Sequence, residues 1–182
     1  MTTEDPRQCW RTPAWVIDAL LDGGWAGPWD VDAFADRDGG NAITERNGGV
    51  WSTGQRTSYG WHHATNPILW DAQEGAHVFA NPPFRLWSKC VSDALAAMAS
   101  PTGPASVTLV GLYDPSTVAV QRLTEAGAAR TEGAVHATLV PIAGRWGFDP
   151  PPGITASGAD RAHGVWVLRR VISRPKKETT NE

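Results

Sequence analysis

Apolar positions recur along this chain in two rhythms, and the changes of rhythm mark its elements. Val16, Ile17, Leu20 and Leu21 share one face at helical spacing. Thr12 suits the N-cap, Pro13 suits the first helical position and Gly23-Gly24 closes the segment, which predicts a short helix over 13–21. Residues 29–35, Trp-Asp-Val-Asp-Ala-Phe-Ala, read as a buried strand running into a turn. His77-Val78-Phe79-Ala80 is a second short strand, and Asn81-Pro82-Pro83-Phe84 ends it, because two prolines cannot continue a central strand. Apolar residues at 87, 91, 94, 95 and 98 predict a helix over 86–99, followed by a turn at 101–104. Residues 106–112 form the clearest buried strand. A helix is expected over 115–126, opened by Asp114-Pro115 and closed by Gly127. Two more strands are expected over 134–142 and 164–171.

Between these elements the character changes. Residues 36–66 are rich in Gly, Asn, Ser, Thr and Arg and carry no sustained period, apart from an expected turn of helix near 41–43. A loop of that length inside a domain is usually functional. A Gly/Pro-rich loop spans 144–158. Residues 1–9 are expected to be frayed, residues 10–172 to form one domain and residues 173–182 to be a charged tail. Strands alternating with helices predict an α/β sheet with helices on both faces. Ligands of such sheets bind beyond the carboxyl ends of the strands. Two segments of unusual chemistry fall at such ends: Asp32-Ala33-Phe34-Ala35 and Asn81-Pro82-Pro83-Phe84.

Composition narrows the function. The chain has 182 residues, 41% hydrophobic and 19% charged, enough for one real core. A net charge of -3 argues against a protein whose whole task is to coat nucleic acid. It leaves room for an enzyme that grips nucleic acid locally. The apolar runs are too short to span a bilayer, so no membrane partner is expected. Neither a signal peptide nor a disulfide framework is expected, because the start is not basic and there are only 2 cysteines. These features point to a reducing, cytoplasmic setting. No metal site is expected, since His62 and His63 are adjacent and lack an acidic partner at ligand spacing. The unusual count is 10 tryptophans; such rings fill cores, but they also stack on bases and flat cofactors.

Asn-Pro-Pro-Phe between a strand and a helix resembles the signature of the amino-methyltransferases. The wider order sharpens this: Trp10-Arg11-Thr12-Pro13, then Asp30-Val31-Asp32-Ala33, Asn41-Ala42, the Asn81–Phe84 segment with Trp87, and Gly144-Arg145-Trp146-Gly147-Phe148. Over about residues 10–170 this resembles the phage-type DNA N-6-adenine methyltransferase family. The resemblance implies a Rossmann-like sheet, S-adenosylmethionine as methyl donor, DNA as partner and, for a phage protein, the cytoplasm of the bacterial host.

The chemistry explains why such residues are wanted. The exocyclic amine of adenine is a poor nucleophile, because its lone pair is delocalised into the ring. Acceptors aimed at its two N–H bonds pull the nitrogen toward a tetrahedral shape. The resemblance assigns that role to the Asn81 side-chain oxygen and the Pro82 carbonyl, with Pro82 and Pro83 stiffening the segment. Phe84 is expected to stack on a flipped base, the alternative being a core ring. The resemblance further implies that Trp10, Thr12, Pro13, Asp30, Asp32 and Ala33 flank the cofactor, and that Asp71 touches its adenine. For Asp32 the alternative is a turn cap; for Asp71 it is a solvated loop residue. Arg85, Trp87, Lys89 and Arg145 are the expected substrate contacts, and Arg169-Arg170 with the tail adds weak attraction for phosphate. RNA adenine or glutamine methylation, or non-catalytic nucleic-acid binding on the same scaffold, stay open as alternatives.

Overall fold

The computed structural model describes residues 12–34, 74–142, 146–149 and 162–171. The expectations for residues 1–9, 36–66 and 173–182 lie outside the described residues, as does most of the 144–158 loop. In chain order the elements are α1 (Ala14–Asp22), β1 (Val31–Asp32), β2 (His77–Ala80), α2 (Trp87–Ala99), β3 (Ser106–Leu112), α3 (Val118–Gly127), β4 (Val135–Val140) and β5 (His163–Arg170). A single 3-10 turn, Phe84–Leu86, leads into α2.

The five strands form one mixed sheet in the order β1-β2-β3-β5-β4. β1, β2 and β3 are parallel neighbours. β5 enters antiparallel between β3 and β4, pairing with both. The fold is therefore α/β, with helices on both faces.

Alternation along the strands sorts the core into two layers. Val78, Ala80, Val107, Leu109, Trp166 and Leu168 face α2 and α3, where they meet Cys90, Val91, Ala94, Met98, Val120 and Leu123. Phe79, Val110, Val165 and Val167 face the other way, onto Val16, Ile17 and Leu20 of α1. A strand with both faces buried has no polar side, which is why 106–112 reads as one apolar run. Thr108 is the polar exception within it, beside Ser106 at its start; the Thr108 hydroxyl accepts the Trp29 indole N–H at 2.9 Å, so neither group is buried unpaired. Cys90 is buried in this layer, and burial pushes its thiol far above the usual range, which makes it inert.

Several boundaries differ from expectation for local reasons. Pro13, not Thr12, occupies the N-cap of α1, and its carbonyl accepts from Val16 and Ile17. Thr12 lies one residue too early to reach the first-turn amides. The Gly23-Gly24 stop holds: Gly24 takes φ 63°, a left-handed conformation that suits glycine. β1 is shorter than 29–35 because the Asp32 carboxylate accepts the Phe34 amide at 3.0 Å and turns the chain away. Asp114 does not open α3. Its carboxylate accepts from the Ser116 amide and hydroxyl, and Thr117 caps the helix through Val120.

No described helix is long and apolar enough to cross a membrane.

Candidate functional site

The three parallel strands end side by side. Ala33 continues the β1 ladder by donating to the Phe79 carbonyl, so Asp32 and Ala33 sit beside the end of β2, from which Asn81 emerges. On the far side of β3, His163 opens β5 opposite Leu112. The amino end of β5 thus lies at the carboxyl edge of its neighbours. α1 begins at this edge too, because Trp15 in its first turn meets Trp146, which in turn contacts His163.

The Asn-Pro-Pro-Phe segment is built into this edge. Pro82 is buried, while Asn81 and Pro83 are half-buried. The Pro83 carbonyl accepts the Leu86 amide at 2.8 Å, which winds the 3-10 turn and lifts Phe84 outward. Phe84 is 47% exposed, so the alternative of a core ring does not hold. Behind it stands a cluster of rings. Phe84 lies nearly parallel to His163, with centroids 5.8 Å apart and 18° between planes. Phe148 meets Phe84 at 5.9 Å and His163 edge-on at 4.6 Å. Trp146 packs on both Phe148 and His163, at 5.5 and 5.2 Å.

Three polar groups stand out at this edge. Asp32 is 4% exposed, and its carboxylate caps the turn at Phe34, as one of the two sequence alternatives held. Thr12 is 8% exposed, and its hydroxyl has no hydrogen-bond partner among the described residues. His163 is tied by Nδ1, 2.8 Å from the Trp146 carbonyl oxygen, which places the ring proton on Nδ1. Burial pulls its pKa below the ordinary histidine value, and the Trp146 bond partly offsets this.

The edge gathers Thr12, Pro13, Asp32, Ala33, Asn81, Pro82, Pro83 and Phe84. Asp30 is not turned toward it: its carboxylate accepts the His77 amide at 2.8 Å and pins the start of β2. Trp87 corrects the expectation of a substrate contact. Its ring is 3% exposed and packs flat on β3, where a Cβ on Gly111 would come within 2.4 Å of it. The glycine at 111 makes room for that indole. Lys89 is exposed on α2 and ion-paired with Asp93 at 2.5 Å, and Arg85 is exposed on the 3-10 turn. Trp10, Asp71 and Arg145 lie outside the described residues.

Sequence reasoning did not single out His163, and had Phe148 only as part of a segment resemblance. Nothing in the local pattern marks a histidine at the start of a strand. Its setting comes from β5 inserting beside β3. No family model matches the chain, and no curated protein matches it.

Proposed function

We propose that this protein is a Rossmann-like, S-adenosylmethionine-dependent methyltransferase acting on the exocyclic amino group of adenine in DNA. The observation that carries the reading is the placement of Asn81-Pro82-Pro83-Phe84. It leaves the carboxyl end of a parallel strand, beside the Asp32 turn, with an exposed ring on a supporting aromatic cluster. Ligands of α/β sheets bind at such edges.

The residues present fit the cofactor. The Thr12 hydroxyl, without a hydrogen-bond partner among the described residues, lies beside the first turn of α1, whose dipole favours a carboxylate. The buried Asp32 carboxylate brings negative charge to the same edge, suited to an ammonium or sulfonium. S-adenosylmethionine supplies a methyl group already activated on a positively charged sulfur.

The chain's own work is positioning and electrostatics. Asn81 and Pro82 offer oxygens to the two N–H bonds of the amine and draw its lone pair out of the ring. The prolines hold those oxygens stiffly, because their φ is fixed. Phe84 gives the base a π-face.

Thermal unfolding with S-adenosylmethionine or its demethylated product, paired with methyl transfer to adenine-containing DNA, tests this. Ligand at a hundredfold excess over its dissociation constant should add about 2.7 kcal/mol of stability. No shift at millimolar ligand overturns the reading.

A further inference from the structure

Three large aromatic rings stand exposed near one edge of the sheet: Trp15, Phe84 and Tyr113. Two of them end a continuous row. Trp15 contacts Trp146 at 6.4 Å, Trp146 contacts His163 at 5.2 Å and His163 contacts Phe84 at 5.8 Å. The exposed ends are thus three ring contacts apart, and the two rings between them are held by the bond from His163 Nδ1 to the Trp146 carbonyl. Such a row is preorganised. Its rings are fixed before any ligand arrives, so little ordering is left for binding to oppose.

The cations point the same way. Arg169 donates to the Trp25 carbonyl, Arg170 to the Met98 and Ser100 carbonyls, and Arg130 to Gly127 and Ala129. Lys89 is paired with Asp93, and Arg122 is bonded to Ser92. Among the described residues these basic side chains are tied to the protein itself. Duplex DNA is gripped mainly by neutralising its phosphates, whereas unpaired strands are also held by stacking on aromatic rings. An acidic chain with a row of rings is suited to the second mode.

We propose that the Trp15–Trp146–His163–Phe84 row, in which Trp146 is buried, forms a stacking track whose two exposed ends each take a base of an unpaired, adenine-containing strand. Phe84 takes the target base and Trp15 a neighbouring one. The preferred substrate is a single strand, not intact duplex. This rests on the reading of the edge as a base-methylating site.

Methyl transfer by the full chain is measured on random-sequence single-stranded DNA, the same DNA annealed to its complement, and single-stranded RNA, for wild type, Trp15→Ala and Trp15→Phe. Single-stranded DNA is expected to be the best substrate, with a shallow dependence on salt. Trp15→Ala should raise KM for it by about tenfold, the size of one lost stack, with kcat unchanged. Trp15→Phe should recover part of the loss, because a π-face returns.

Duplex methylated as well as single strand, or an unchanged KM in Trp15→Ala, overturns the track. A preference for single-stranded RNA keeps the track and overturns DNA as the partner. If wild type methylates none of them, the methyltransferase reading falls, and binding of the single-stranded DNA, followed by tryptophan fluorescence, decides the track. Binding that Trp15→Ala weakens supports it; no binding, or binding that variant leaves alone, overturns it.

Discussion

The two ends of the sheet are built on opposite terms. At the amino end the polar groups are paired off. Arg170 donates from Nε to the Met98 carbonyl at 2.9 Å and from Nη2 to Ser100, closing the end of α2. Arg130 does the same for the carbonyls of Gly127 and Ala129 after α3, and Arg169 for Trp25 after α1. Each guanidinium meets the negative end of a helix or the turn that follows it. Asp30 holds the His77 amide, and the His77 ring lies 2.8 Å from the Ser106 hydroxyl.

The carboxyl end leaves polar groups without partners and rings in solvent. The Thr12 hydroxyl, the His163 Nε2 and the indole nitrogens of Trp87 and Trp166 are buried and find no partner among the described residues. Phe84, Trp15 and Tyr113 are exposed here, against Trp25 alone among the described tryptophan, tyrosine and phenylalanine rings of the amino end. A buried orphan costs about 1–3 kcal/mol, so a sequence selected for stability alone would not keep several at one end. Departures from local consistency gather where a protein works. The amino end stabilises the scaffold, and the carboxyl end carries the proposed site.

Substitutions at the two ends should therefore separate activity from stability. Asn81→Ala at the carboxyl end removes the side-chain acceptor proposed for the amine while both prolines remain. Turnover should fall on the order of 10²–10³, far more than any loss of stability would account for well below the melting temperature. Steady-state methylation and thermal unfolding on the same preparation check this, and retained turnover would place the reacting amine elsewhere.

Arg170→Ala at the amino end is the converse. It strips the guanidinium from two carbonyls at the end of α2 and should cost about 2 kcal/mol of stability. Methyl transfer well below the melting temperature should be unaffected. Denaturant unfolding measures the loss; a drop in turnover with unchanged stability would break the contrast between the ends.

The smallest effect concerns pH. The folded pKa of His163 lies below the ordinary value of 6.5, because burial disfavours the charged ring. Well above 6.5 the ring is neutral in both folded and unfolded chains, and pH has no effect through it. As pH falls through that value, the unfolded chain binds a proton that the folded chain resists, so stability is lost. The melting temperature of wild type should drop more steeply on acidification than that of His163→Phe. Parallel curves for the two proteins would mean that His163 is not held neutral.

How much of this was legible depended on the range of the forces involved. β2 and β3 fall where the apolar runs place them, and α2 departs by one residue, because the 3-10 turn delays it. Helix starts were harder. Whether Thr12 or Pro13 caps α1, and where α3 opens after Asp114, turn on single side-chain bonds that periodicity does not encode. Asn81-Pro82-Pro83-Phe84 was legible as a candidate site because its residues are contiguous in the chain.

The row of rings was not legible, since Trp15, Phe84, Trp146 and His163 come from four separate stretches. Trp87 shows the same limit in reverse. Beside the motif it reads as a substrate contact, but Gly111 on another strand gives it a slot in the core. Periodicity, turn residues and the Asn-Pro-Pro-Phe segment act within a few residues, so the sequence by itself determined the elements and one arm of the site. The insertion of β5 between β3 and β4 brings His163 to Leu112 and so to Phe84. That pairing joins residues far apart in the chain, and only the tertiary structure decided it, because no local preference of either segment specifies its partner.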